Sequence, residues 1–445
     1  MHRKKISMVI DNEFVLRSYL ESPVLDDLNK EFDVELVLID QKLEMGVARH
    51  AFLRKNPRLQ FLQTIMSVSY WFKKRKKSNS FRIRLLSLLH SRRYFYSARK
   101  VRFHSPSLPV IVGFLVGSLG LSVPRLFVLT LGKTFTNHFR TSGSNLIIYL
   151  TSGGASSNSD VLSLIGEELR IPTLVIVENW DNLTSKAVFN VKPDFLGVWG
   201  NQDRVAAIDL HGFAADKVFE IGSPRVSRLI RSHSHNPVSA RKILFAGGST
   251  DFSFEFEWIT FTISLASKLE HELIYVPHPA NYAILSQYEA SEIEKVLSIV
   301  PDQVLQLIRL KSGKSLPTLD FYTPIFQSAV ITISPYSTML LESLLVGIPA
   351  VGIDFREPRK ESEGWASEAF EHFQRLESIG HYMRVTDLVQ LEQVVSHLVH
   401  SHPTITIDSK QRTDSLREKN IFYDDSFSFE EKLISIVRMI IAEKI

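Results

Sequence analysis

Ser334-Pro-Tyr-Ser-Thr338-Met-Leu-Leu-Glu342-Ser-Leu-Leu-Val-Gly347-Ile-Pro349 decides how this chain folds. It follows an apolar run, Ala329–Ile333 (AVITI), that reads as a strand. At Ser334-Pro335 the run breaks into a turn offering Tyr336, Ser337 and Thr338. A helix begins there, and Gly347-Ile348-Pro349 leads into the next apolar run, Ala350–Ile353 (AVGI), which ends at Asp354. Short apolar strands alternating with helices indicate a parallel sheet with crossover helices. The same pattern recurs upstream. Lys242–Ala246 (KILFA) ends at Gly247-Gly248-Ser249, and Glu272–Val276 (ELIYV) ends at Pro277-His278-Pro279.

The first half repeats the pattern. Lys5–Ile10 (KISMVI), Val34–Ile39 (VELVLI), Asn145–Leu150 (NLIIYL), Thr173–Val177 (TLVIV), Phe195–Trp199 (FLGVW) and Val218–Ile221 (VFEI) read as strands, with a helix near Asp160–Leu169. The composition turns polar at Arg231–Arg241 (RSHSHNPVSAR), which marks a hinge. The predicted architecture is therefore α/β with two Rossmann-like domains, 1–230 and 242–445, and an amphipathic helix at Glu430–Ile441 closing the fold. Open parallel sheets bind ligands at the carboxyl ends of their strands, and two facing domains would form a cleft there.

Composition narrows the function. With 44% hydrophobic and 22% charged residues among 445, the chain carries enough apolar surface for folded domains. It has no cysteine, which excludes disulfides, thiolate metal sites and cysteine nucleophiles. Asp11, Glu13 and Arg17 interrupt any apolar core of a secretory signal. No Asp-x-Asp metal motif is evident; Asp424-Asp425 is adjacent and reads as a surface loop, so no metal is expected.

The net charge of +4 hides an asymmetry. Between Glu44 and Asp160 there is no acid, while 19 of the 52 Lys and Arg fall there. The densest part runs from Lys73-Lys74-Arg75-Lys76-Lys77 through Arg82, Arg84, Arg92, Arg93, Arg99 and Lys100 to Arg102, interleaved with Trp71, Phe72, Phe81, Tyr94, Phe95 and Tyr96. Such a segment suits an anionic membrane surface or a solvated helical face; no nucleic-acid motif accompanies it. Residues 103–124 carry no Lys, Arg, Asp or Glu, but Pro106, Pro109 and Pro124 cut the apolar run short of a span. A buried or membrane-dipping helix is expected there.

At Ser337 and Thr338, free N–H groups of a helix start together with hydroxyls form an anion site. Simple N-capping uses the same geometry, and spacing does not separate the two. Glu342 lies four residues past Thr338, on the same helical face, where it can accept from ribose hydroxyls. Gly247 and Gly248 permit close approach of backbone to a ligand.

These residues resemble the donor site of GT-B glycosyltransferases, and more narrowly the bacterial polysialyltransferases, capsule Kdo transferases and CDP-glycerol glycerophosphotransferases. Those families carry a His-Pro pair after a C-domain strand and a later Ser/Thr pair. The resemblance implies that His278, beside Pro279, meets the donor phosphate or protonates the leaving group, and that Ser337 with Thr338 binds phosphate. Ser249 and Tyr336 fall in the same loops. A second stretch, Trp180-Asp181-Asn182-Leu183-Thr184-Ser185-Lys186, resembles one in bacterial surface-carbohydrate biosynthesis proteins, with Ala187 where a glycine is usual. It implies acceptor-side roles for Trp180, Asn182, Thr184 and Lys186. The resemblance covers 145–445; 45–140 is placed only as the variable acceptor-facing part.

The implied function is transfer of a sugar, or a glycerol-phosphate-like group, from a CMP-, CDP- or UDP-linked donor. The acceptor would be lipid-linked or a growing glycan. The work would be done in the cytoplasm, on the inner face of the cell membrane, without nucleic acid, cofactor or metal. An acceptor base should stand at a first-domain strand end. Asp11, Glu13, Asp160 and Asp181 qualify by position, with Asp11 and Asp181 foremost; Glu255 and Glu257 could face the cleft from the other domain. Arg225 and Lys186 could meet phosphate. A UDP-sugar 2-epimerase of the same fold and a non-catalytic assembly protein are the alternatives.

Overall fold

The computed structural model describes residues 3–39, 50–54, 56–89, 107–151, 157–232, 241–248, 252–288, 290–309, 317–335, 337–354, 371–377, 382–420 and 428–443. Ser249, Tyr336, Asp424-Asp425, the 90–106 part of the basic segment and most of the expected hinge lie outside them.

The chain forms two compact units, Met1–Ser227 with Glu418–Ile445, and Arg228–Arg417. In the first unit the order is β1 (Lys5–Ile10), α1 (Glu13–Leu20), α2 (Val24–Glu31), β2 (Asp33–Ile39), β3 (His50–Leu53), then a run of helices before the next strand. These are α3 (Pro57–Lys74), α4 (Asn79–Leu89), α5 (Leu108–Ser118), α6 (Arg125–Leu131) and α7 (Lys133–Ser142). The sheet resumes with β4 (Leu146–Thr151), α8 (Ser159–Leu169), β5 (Thr173–Val177), α9 (Asn182–Ser185), β6 (Phe195–Val198), α10 (Asn201–Asp209), β7 (Val218–Glu220) and α11 (Pro224–Ser232). All seven strands are parallel, in the order β3-β2-β1-β4-β5-β6-β7. The chain steps outward from β1 to β3, then returns to the other side of β1 with β4. That reversal puts a crevice between the carboxyl ends of β1 and β4.

Both faces of this sheet are covered, which is why its strands read as near-continuous apolar runs. On one face Val9, Val37, Ile147 and Val175 pack with Leu59, Val128, Phe135 and Val161 of the helices. On the other, Ile6, Met8, Leu36 and Ile148 pack with Val15, Leu28, Phe429, Leu433 and Val437. The last three belong to the C-terminal helix. Its start is fixed by a capping box, in which the Ser428 hydroxyl accepts from Glu431 N and the Glu431 carboxylate accepts from Ser428 N. The division therefore differs from the expected 242–445 domain: residues from 418 on belong to the first unit, because the apolar stripe of this helix completes the first sheet's core.

In the second unit β8 (Lys242–Ala246), α12 (Phe252–Lys268), β9 (Glu272–Val276), α13 (Tyr282–Leu285), α14 (Ala290–Leu297), α15 (Asp302–Arg309), α16 (Leu319–Ser328), β10 (Ala329–Pro335), α17 (Thr338–Leu345), β11 (Ala350–Ile353), α18 (Glu371–Glu377), β12 (Tyr382–Val385) and α19 (Leu388–Asn420) follow in turn; α20 (Phe429–Ala442) is the C-terminal helix already described. The five parallel strands run in the order β12-β11-β10-β8-β9. Here the reversal lies between β8 and β10. Gly347, at φ 84°, ends α17 in the left-handed conformation, with Ile348 N donating to Ser343 O at 2.9 Å.

The helical insertion accounts for the acid-free segment. α5 packs on α3 through Gly113 and Gly117, where a Cβ would stand 2.7 Å from Val68 Cβ and 2.9 Å from Phe72 Cβ. The face of α5 toward α3 is buried, while Leu108, Ile111, Leu115 and Leu119 are exposed, so of the two expectations, a buried or a membrane-dipping helix, full burial does not hold. Cations lie over aromatic rings: Arg75 over Phe72 at 3.5 Å and Arg84 over Trp71 at 4.7 Å. Among the described residues no helix is long and apolar enough to cross a membrane.

Candidate functional site

The second sheet brings three sequence motifs to one place. The chain leaves β8 through Gly247, whose N–H donates to Val276 O at 2.8 Å. A Cβ on Gly247 would stand 2.9 Å from His278 N and 3.1 Å from Pro277 Cα, so the Gly-Gly and His-Pro loops touch backbone to backbone. A Cβ on Gly248 would stand 3.0 Å from Pro335 Cβ, which brings in the end of β10 and the start of α17. Gly247, Gly248, His278 and Pro335 thus gather at the reversal between β8 and β10, where an open parallel sheet binds ligands.

The cluster is held from beneath. Glu255, on α12 and fully buried, accepts from Gly248 N at 2.7 Å and from the Tyr275 hydroxyl at 3.0 Å. Asn281 N donates to His278 O at 2.8 Å, closing the turn that begins at Pro279. Glu255 was only one of several acids the sequence offered; its partner, the glycine amide seven residues back, shows its part in shaping the loop. Glu257, two residues on, is exposed.

Ser337 is the N-cap of α17: its hydroxyl accepts from Met339 N at 3.1 Å and from Ser334 Oγ at 3.2 Å. Thr338, the first residue of the helix, is half-buried. Glu342 is buried, at 3% exposure. His278 is half-buried, and burial pushes its imidazole below the ordinary histidine range, so the neutral ring prevails at neutral pH.

The first sheet has its own reversal, and Asp11 stands there, just after β1. Its Oδ2 accepts from the Tyr149 hydroxyl at 2.5 Å and from Asn158 Nδ2 at 2.8 Å. The two donors come from β4 and the residue preceding α8, and fix the carboxylate from the far side of the crevice. Burial and the neighbouring Asp11 charge drive the Tyr149 phenol well above its usual pKa, so it remains a proton donor in that bond.

The Trp180–Lys186 stretch folds around a single helical turn, Asn182–Ser185, with several bonds internal to it. Ser185 Oγ donates to Asp181 O at 2.7 Å, Thr184 Oγ1 to the same oxygen at 3.2 Å, and Lys186 Nζ pairs with Asp181 Oδ2 at 2.8 Å. Trp180, Asn182 and Thr184 are buried; only Asp181 and Lys186 reach part way to solvent. Asp160 is buried and accepts from Asn190 Nδ2 and Val191 N, a structural anchor whose pKa burial raises to about 6. Glu13 is exposed in the first turn of α1.

One residue just before that stretch was not singled out from the sequence. Glu178, the first residue beyond β5, is 6% exposed and accepts from the Tyr19 hydroxyl at 2.6 Å. Burial is the larger influence and pushes its pKa up to about 7; the Tyr19 bond and the charge of Arg225 oppose it. Arg225 itself lies over the Phe14 ring at 4.9 Å. An acid at the carboxyl end of a strand was the available signal. Among the described residues no group of three His, Asp or Glu side chains is placed to hold a metal ion.

No protein-family model matches the chain, and no curated protein sequence matches it. Solved structures do share its fold. MurG of Acinetobacter baumannii is 11% identical, over 98% of this chain and 99% of its own, with a TM-score of 0.50. The wall teichoic acid polymerase TagF, in a histidine-to-asparagine variant soaked with CDPG, is 8% identical over 99% and 90%, with a TM-score of 0.50. A UDP-N-acetylglucosamine 2-epimerase assignment from Listeria monocytogenes gives 9%, 99%, 97% and 0.50 in the same order. At such identities the likeness is one of architecture, and what it establishes is that this chain has the two-sheet α/β fold of the GT-B proteins.

Proposed function

We propose that the protein is a glycosyltransferase of bacterial surface polysaccharide synthesis. It takes a sugar, or a glycerol-phosphate-like group, from a CMP-, CDP- or UDP-linked donor and gives it to a lipid-linked or growing glycan acceptor. It works on the inner face of the cell membrane. The observation that carries the reading is the meeting of Gly247-Gly248, the main chain of His278 and Pro335 at the reversal of the second sheet, with Ser337 capping the helix that follows. The GT-B fold shared with MurG and with TagF supports it.

The chemistry follows from charge. As the bond between the transferred group and the donor phosphate breaks, its electron pair goes to the phosphate oxygen. The N–H groups at the start of α17 and the Thr338 hydroxyl face that kind of charge well. Burial favours the neutral His278 ring; a phosphate beside it raises its affinity for a proton, which it then holds toward the departing oxygen. The acceptor hydroxyl forms the new bond and loses its proton to a base. Asp11, fixed by Tyr149 and Asn158, fits that role better than Asp181, whose carboxylate is engaged by Lys186. No metal is required in this scheme.

Thermal unfolding with CMP, CDP, UDP and GDP tests the donor reading, because a specific ligand raises stability by mass action. One cytidine or uridine nucleotide should shift the transition, and His278→Ala should remove turnover while the protein stays folded. Indifference to all four nucleotides would end the proposal. The Listeria likeness favours a second reading, UDP-sugar 2-epimerisation; conversion of the free nucleotide sugar without any acceptor would establish that reading instead. A cellular role that survives His278→Ala would point to a non-catalytic scaffold.

A further inference from the structure

The first unit contains a cavity of about 500 Å³ that uses none of the candidate residues above. Its walls come from α3, α6, α8 and the 189–192 segment. Lys73, Lys74, Arg125 and Lys192 line it, with Val123, Val128 and Phe189 as apolar wall. Among the described residues no acid lines it. Arg125 is held in a two-pronged pair with the exposed Glu167, at 2.8 Å on each prong. The lysines are different: their ammonium groups donate hydrogen bonds to main-chain carbonyls, Lys73 to Leu121 O and Lys74 to Leu210 O at 2.7 Å, and Lys192 to Gly212 O. Burial and repulsion from Lys77 and Lys192 push Lys74 below the ordinary lysine range. Three ammonium groups lining one cavity, with no carboxylate in its wall among the described residues, are a surface made for an anion.

Exposed apolar residues adjoin this cavity through the segment that helps to wall it. α5 presents Gly113 and Gly117 to α3, and on its other side Leu108, Ile111, Leu115 and Leu119 recur at three- and four-residue spacing. Leu121, Leu126 and Phe127 continue the exposed apolar surface, with Leu119 at 69% and Leu126 at 75% exposure. The 121–128 segment belongs to both features: Leu121 O holds Lys73, and Val123, Arg125 and Val128 wall the cavity. An apolar ridge bordered by cations matches the boundary between acyl chains and anionic headgroups.

We propose that the cavity binds the phosphate headgroup of an anionic membrane phospholipid, while the α5–α6 ridge enters the acyl region beside it. The inference deepens the membrane placement proposed above and is independent of the donor-site reading. Sedimentation with phosphatidylcholine vesicles, with and without phosphatidylglycerol, tests it on the full chain. The wild-type protein should prefer the phosphatidylglycerol vesicles. Lys74→Ala with Lys192→Ala should weaken that binding on the order of tenfold or more, since a cation near the lipid surface contributes roughly 1 kcal/mol. Lys76→Ala with Lys77→Ala removes the same charge outside the cavity and should cost distinctly less. Should the first pair disturb folding, Leu115→Ser with Leu119→Ser alters only exposed side chains and should also weaken sedimentation. Equal losses from the two lysine pairs would overturn the headgroup site and leave a diffuse attraction. Wild-type indifference to phosphatidylglycerol would overturn both the site and the membrane placement, whatever the nucleotides do. Protection of the cavity by inorganic phosphate without any vesicle binding would overturn the lipid as its occupant.

Discussion

Gly248 closes directly against Pro335: a Cβ on the glycine would meet the proline's Cβ at 3.0 Å and its Cγ at 3.3 Å. Gly247 is tighter still, because the atom a Cβ would meet at 2.9 Å is the main-chain nitrogen of His278. A ring carbon can give by a few tenths of an ångström more readily than the main-chain nitrogen of a loop held by the Asn281 N to His278 O bond. Gly247→Ala should therefore destabilise the second unit by about 1–3 kcal/mol, the usual cost of overpacking, and blunt its response to nucleotide. Gly248→Ala should cost less on both counts. Urea unfolding with and without the nucleotide that stabilises the wild type checks the ranking.

Asp11 and its two donors give a different kind of prediction. Asp11→Asn keeps the size of the side chain and removes the charge that would take a proton, so turnover should fall about 10²- to 10⁴-fold, the range of general-base catalysis. Nucleotide-induced stabilisation should persist. Tyr149→Phe leaves the carboxylate with only the Asn158 bond of this pair and should lower turnover less than Asp11→Asn does. Full activity in Asp11→Asn would move the base elsewhere on the first sheet, with Glu178 the next to substitute.

Glu178 makes stability depend on pH. Its folded pKa is raised to about 7 by burial, whereas a glutamate in an unfolded chain titrates near ~4.3. The folded state binds the proton more tightly, so this contribution is complete below about pH 4 and is lost as pH rises through about 7. The whole loss is roughly 4 kcal/mol, from about 1.36 kcal/mol for each pKa step. Glu178→Gln keeps an acceptor for Tyr19 and carries no charge. Its stability relative to wild type should rise across that window and level off above about pH 8. Chemical denaturation at a series of pH values measures the difference; parallel curves would show that folding does not shift the Glu178 titration.

The C-terminal helix should matter to the unit far from it in sequence. Deleting residues 428–445 removes Phe429, Leu433 and Val437 from the core around Ile6, Met8 and Ile148. Hydrogen exchange should rise in β1, β2 and β4, while β8 to β11 keep their protection. Uniform loss of protection in both sheets, or in neither, would contradict the assignment of this helix to the first unit.

Strand identity was legible because it is local. Lys5–Ile10, Lys242–Ala246, Glu272–Val276 and Ala350–Ile353 are strands over the very residues their apolar runs delimit. Parallel strands covered on both faces announce themselves as unbroken hydrophobic stretches. His50–Leu53 and Tyr382–Val385 escaped because they are four-residue edge strands with side chains half in solvent, and nothing in so short a mixed run separates it from a loop. The helical insertion was foreshadowed by its charge, but the two-sided nature of α5 depends on Gly113 and Gly117 finding α3 more than forty residues earlier.

The sequence by itself determined the alternation of strands and helices, and with it the order of the loops at the strand ends. It also concentrated 19 of the 52 Lys and Arg in one acid-free stretch between Glu44 and Asp160. Tertiary structure alone decided which of those loops meet. His278 and Gly247 are 31 residues apart, and Gly248 and Pro335 are 87 apart; they touch because β9 and β10 both pair with β8. It also decided that Asp181 is tied to Lys186 while Asp11 is presented by Tyr149, and that a glutamate seemingly like any other is buried beside Tyr19. The reason is physical: hydrophobic pattern is carried by neighbours along the chain, whereas burial, desolvation and hydrogen-bond partners are set by residues that only folding brings within reach.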